Sequence, residues 1–248
     1  MCLCIGSLTG LPAGATSPDD GGDEAVDRYA RLPRFPDRWI RESEIPETPQ
    51  KSPKMVVWEV SRYSPGTPPT LEQQHAATDL VERSFEAALR HGWADEKKGL
   101  ADGYYVIGKH GNEKLHYLSD AYLLDDRLLD PDHPEVLMYA GPDGARELVA
   151  FMFMARTRTE WGPQIGGPLT VWHYHVFARM QCVIKGMIPR GFVDDPRDCR
   201  GGIVVHRTPE MMHVWLIPHP DGPFATDMGL DESGLSKLIE ARRKEHGF

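Results

Sequence analysis

Apolar side chains recur along this chain with two different rhythms. Between Thr70 and about His91, Ala77, Leu80, Val81, Ser84, Phe85, Ala88 and Leu89 fall at helical spacing and form one stripe. Thr70 and Gln73 follow Pro68-Pro69 in a capping-box pattern, and Gly92 stands where a helix would stop. The spacing predicts a helix that packs on a sheet. Elsewhere the rhythm is that of strands. Asp102 to Leu118 reads as a strand, a Gly/Asn turn and a second segment ending in His116-Tyr117. Val136–Ala140 and Glu147–Ala155 read as a hairpin around Gly141-Pro-Asp-Gly144, the second strand apolar on both faces and therefore central. Further strands are expected at Gly167–Phe177, Gly201–His206 and Met211–Pro218, then a short amphipathic helix at Leu235–Glu245. Residues 17–69 lack this periodicity and are rich in Pro, Asp and Glu. They read as an extended arm that docks through Trp39, Ile40 and the strand-like Met55–Trp58. The predicted protein is mainly β with peripheral helices, residues 70–248 forming one domain behind a segment at 1–69.

The densest chemistry lies in Trp172-His173-Tyr174-His175-Val176-Phe177. Side chains alternate across a strand, so His173, His175 and Phe177 share one face and Trp172, Tyr174 and Val176 the other. Two imidazoles on an otherwise apolar face need partners, because a buried polar group without one is unfavourable. A metal ion satisfies both at once; backbone hydrogen bonds or an exposed edge are the plainer alternatives. In the last long strand His213 shares a face with Met211, Trp215 and Ile217, a third imidazole in apolar company. Glu210, three residues before His213, is a candidate ligand, supporting partner or general base, or an ordinary turn carboxylate.

Composition narrows the function classes. A net charge of -9 on 248 residues argues against a nucleic-acid surface, and no apolar run is long enough to span a bilayer. There is no G-x-S-x-G, phosphate-binding glycine loop or H-E-x-x-H. The four cysteines form two pairs. Cys2 and Cys4 sit in a short apolar start ending at Ala13-Gly-Ala15, which is signal-like but lacks a basic leader; export is one expectation and a cytoplasmic protein the other. Cys182 and Cys199 flank the loop after the HxH strand and would close it as a disulfide in an oxidising compartment, or stand as separate buried thiols.

Gly167, His173, His175 and Gly186 resemble, in order, the first motif of the cupin family, G-x5-H-x-H-x(3,4)-E-x6-G. The motif's Glu is missing, since Arg179 and Met180 stand there. His213 fits the histidine of the second cupin motif, although its surroundings do not. Over residues 136–218 the resemblance implies a double-stranded β-helix with a metal inside the barrel. A wider succession, His116-Tyr117, Leu129-Asp-Pro131, Pro134-Glu-Val-Leu137, Trp172-His-Tyr-His175 and Met212-His-Val-Trp215, is similar to a group of bacterial hypothetical proteins without assigned activity. It draws His116 into the candidate set, as a fourth nitrogen ligand or an acid/base beside the metal.

The first functional expectation is a mononuclear metal-dependent enzyme of oxygenase, lyase or hydrolase type acting on a small organic molecule. His173, His175 and His213 would hold one divalent Fe, Cu, Zn or Mn ion, and Trp172, Phe177, Met211, Met212 and Trp215 would wall a substrate cavity. The alternatives are an exported, non-catalytic copper- or zinc-binding protein and a metal-free β-rich protein. Oligomeric state leaves no mark on the sequence.

Overall fold

The computed structural model describes residues 55–60, 62–64, 66–110, 114–226 and 232–248. The signal-like start with Cys2 and Cys4, and the Trp39-Ile40 docking point, lie outside them. Among the described residues nine strands form one antiparallel sheet: β1 (Met55–Val60), β2 (Tyr105–His110), β3 (Lys114–Leu118), β4 (Val136–Ala140), β5 (Glu147–Met154), β6 (Trp172–Ile184), β7 (Ile188–Val193), β8 (Gly202–Arg207) and β9 (Met211–Trp215). The order is β1-β6-β9-β5-β4-β3-β2, with β7 and β8 paired to β6. The strand-like Met55–Trp58 stretch is thus realised as β1, which lies along the first half of β6. β6 is long enough to serve two sets of neighbours. Its first half pairs with β1 and meets β9, and its second half pairs with β7 and β8.

Among the described residues the sheet does not close. β1 stands at one end of the strand order and β2 at the other, so the architecture is an open sheet where the cupin resemblance implies a barrel. Alternation along each strand predicts strands and faces; closure depends on whether the first and last strands meet, which no local pattern encodes.

Helices cover both faces. α1 (Leu71–His91) begins with the capping box of Thr70 and Gln73 and ends at Gly92 in the left-handed conformation, φ 70°. Its Ala77, Leu80, Ala87 and Ala88 pack with Tyr117, Leu137, Phe151, Phe153, Tyr174, Met212 and Val214. Two short helices, α2 (Glu96–Ala101) and α3 (Asp120–Leu123), flank the β2–β3 hairpin. On the opposite face, Leu235 and Ile239 of α4 (Glu232–His246) join Leu118, Val136, Met138, Ala150, Met152, Met154, Met211 and Trp215. Among the described residues no helix is long and apolar enough to cross a membrane. Cys182 and Cys199 are bonded, tying β6 to the turn before β8.

Candidate functional site

The expected strand at Gly167–Phe177 begins later than its sequence suggests. Gly167–Leu169 is a turn of 3-10 helix, and the extended backbone starts at Trp172. From there alternation holds. Trp172 and Tyr174 point into the α1 side of the sheet, while His173 lies on the α4 side and is 1% exposed. Antiparallel partners point the same way, so register identifies what shares that side. His173 stands opposite Met211, His213 opposite Met152, and His116 opposite Met138. Three histidines therefore each face a methionine, and all six side chains are buried.

The imidazoles gather around His173. Its ring centre lies 4.7 Å from that of His213 and 5.5 Å from that of His175. Burial first, then the positive charges of His213, His175 and His116, push the His173 pKa well below the ordinary histidine value. His116 lies on β3, four strands from β6, and adds the smallest of these contributions. His173 is held neutral, and its buried Nδ1 has no hydrogen-bond partner among the described residues. His213 is fixed differently. Its Nδ1 lies 3.1 Å from the Ala225 carbonyl oxygen, which can only accept, so Nδ1 carries the proton and the neutral ring keeps its lone pair on Nε2. Trp215 donates to the same oxygen from Nε1 at 2.8 Å.

Two imidazoles bound at 2.0–2.1 Å to one ion would have ring centres about 4.5–5.5 Å apart. The His173–His213 and His173–His175 spacings fall in that range. Ring orientation is another matter: among the described residues no three or more His, Cys, Asp or Glu side chains are grouped so as to hold a metal ion. The backbone thus places the rings at ligand spacing without gathering their donor atoms.

The other expected residues divide by face. Phe177 shares the histidine side and stacks edge-on against His175 at 6.2 Å, and Met211 and Trp215 lie there too. Trp172 does not: it is buried on the α1 side and donates to the Pro163 carbonyl. Met212 also faces α1. Glu210 sits an odd number of residues from His213 and turns away from it. Its carboxylate accepts from Arg62 Nη2 at 2.9 and 2.8 Å and from the Gly162 backbone N–H at 2.8 Å. That part-buried ion pair gives Glu210 a structural occupation.

Sequence reasoning missed Glu59. In β1 it pairs in register with His173, is 7% exposed and accepts a short hydrogen bond from Thr226, next to the Ala225 that orients His213. A buried carboxylate thus stands beside the histidines on an adjoining strand. Its signal was an acidic residue in a β-branched run, hidden by the polar composition around it. No protein-family model, curated protein or solved structure matches the chain.

Proposed function

We propose that the histidine face binds one divalent transition-metal ion, Fe, Cu, Zn or Mn, through His173, His175 and His213, with His116 and Glu59 beside them. The protein is then a mononuclear metal-dependent enzyme, of oxygenase, lyase or hydrolase type, acting on a small organic molecule. One observation carries this reading: a fully buried, neutral imidazole with an unpartnered nitrogen stands at ligand spacing from two others. Metal ligation needs neutral imidazoles, and the burial that depresses the His173 pKa supplies one. The Ala225 carbonyl supports the reading as well, because ligating histidines commonly give their second N–H to such an acceptor. A bound ion would supply Lewis acidity or a more acidic water. The protein's part is to hold the nitrogens neutral, exclude bulk water with Met138, Met152 and Trp215, and offer Glu59 as a carboxylate near the reacting group.

A second reading draws on the register of histidine against methionine. Thioethers are soft ligands suited to Cu(I), so the face would suit a non-catalytic copper-binding protein, and the Cys182–Cys199 bond accords with export to an oxidising compartment. Metal analysis of protein purified without a histidine tag tests both. About one equivalent of metal per chain is expected, lost in a folded His173→Ala/His213→Ala variant. Absence of metal after growth with each of the four candidate ions would overturn both readings. Turnover with zinc, iron or manganese bound separates the enzyme from the copper carrier.

A further inference from the structure

Two neighbouring residues of the loop after β9 hold groups from two different strands. The Ala225 carbonyl oxygen accepts from His213 Nδ1 at 3.1 Å and from Trp215 Nε1 at 2.8 Å, both on β9. The next side chain, Thr226, donates its hydroxyl proton to Glu59 Oε1 on β1. In the sheet β6 lies between β1 and β9, and Glu59 pairs in register with His173 of β6. Ala225 and Thr226 therefore link β9 to β1 on the side of the sheet that carries His173, across about 10 Å for two strand spacings. All of these residues are buried.

The β9 end of this link is tied down by backbone as well. The Trp215 N–H donates to the Pro223 carbonyl at 2.8 Å, and the Ala225 N–H to the Gly222 carbonyl at 3.3 Å. At the β1 end the hydroxyl of Thr226 has one proton to give, and Glu59 Oε1 receives it. The two ends communicate because the peptide between Ala225 and Thr226 is planar and rigid. Its oxygen orients His213, and its nitrogen belongs to the residue that grips Glu59. Glu59 and His213 make further contacts, so the hydroxyl supplies a share of their placement. We propose that Thr226 is a positioning residue of the histidine site. Its hydroxyl fixes the Glu59 carboxyl beside His173, and the peptide it shares with Ala225 sets the aim of the carbonyl that orients His213. Its role in metal binding rests on the reading of the histidine face given above; the link itself needs no metal.

The test compares the full wild-type chain with Thr226→Val, which keeps the branched shape and loses the donor, and Thr226→Ser, which keeps the donor. Thr70→Ala, which removes the cap of α1, controls for a general loss of stability. In metal-free protein, Thr226→Val is expected to move the side-chain carboxyl carbon resonance of Glu59 and to lower the Nδ1–H share of His213. Thr226→Ser and Thr70→Ala should stay close to wild type in both. With Co²⁺, Thr226→Val should bind about tenfold more weakly and with altered ligand-field bands, and Thr226→Ser within about twofold of wild type. Should the valine variant fail to fold, Thr226→Ala takes its place with the same expectations. Wild-type protein that binds no Co²⁺ refutes the metal reading alone, and the metal-free resonances then decide the link. The proposal is overturned if loss of the hydroxyl leaves the Glu59 and His213 resonances unmoved, or if serine fails to restore them. It is overturned equally if wild type binds Co²⁺ and the valine variant matches it in affinity and bands.

Discussion

His213 donates a hydrogen bond from Nδ1 to the carbonyl oxygen of Ala225 across 3.1 Å, which places the lone pair of the neutral, buried imidazole on Nε2. The two residues belong to β9 and to the loop that returns over it, so the tautomer is set by tertiary structure. Long-range proton–nitrogen correlation at neutral pH should therefore show His213 as the Nδ1–H tautomer. An Nε2–H pattern would mean that the Ala225 contact does not form.

Glu210 and His213 are close in sequence and separated in role. Glu210→Ala leaves the part-buried Arg62 without its carboxylate, and should destabilise the fold by about 3–5 kcal/mol in urea unfolding. Metal affinity of the folded variant should stay within about twofold of wild type. A large loss of affinity would place Glu210 at the histidine face instead.

Glu135 is 2% exposed, and burial raises its pKa well above the ordinary glutamate value, against the pull of the Met154 N–H at 3.2 Å. The folded state keeps its proton at pH values where the unfolded chain has released it. Its contribution is thus complete below the unfolded value near 4.5 and shrinks as pH rises towards the folded value, by up to about 1.4 kcal/mol per pH unit. Glu135→Gln, which cannot release a proton and keeps an acceptor, should exceed wild type in stability at pH 7 and match it near pH 4. Parallel stability curves for the two proteins would contradict this.

The Cys182–Cys199 bond spans 17 residues and holds the β6–β7 hairpin against the start of β8. A loop of this size corresponds to about 3 kcal/mol of stability in the chain-entropy account. Cys182→Ser/Cys199→Ser should lower the Tm by several degrees, and unfolded wild-type protein should titrate no thiol from either residue until reduced. A thiol count that includes both would mean the bond is absent.

Much of this could be read along the chain. The caps of α1 are local hydrogen bonds between residues three apart, so Thr70, Gln73 and Gly92 announce them directly. The shared side of His173 and His175 follows from strand alternation. The same rule, applied one step further, places Trp172 on the far side, because odd separations along a strand reverse the face. β7 escaped notice because Pro189 and Gly191 interrupt its pattern, and α2 and α3 are too short for periodicity to register. Glu59 and His173 are partners across a long separation, and only strand pairing reveals them. Closure of the sheet has no local signature at all.

The histidine face itself is tested most directly by titrating tag-free, metal-stripped protein with Co²⁺ and following the visible ligand-field bands. The account predicts a saturable rise with its break near one equivalent, lost in His173→Ala/His213→Ala and retained in Glu210→Ala. A spectrum no different from aqueous cobalt, with the imidazole resonances of His173, His175 and His213 unmoved, would contradict it.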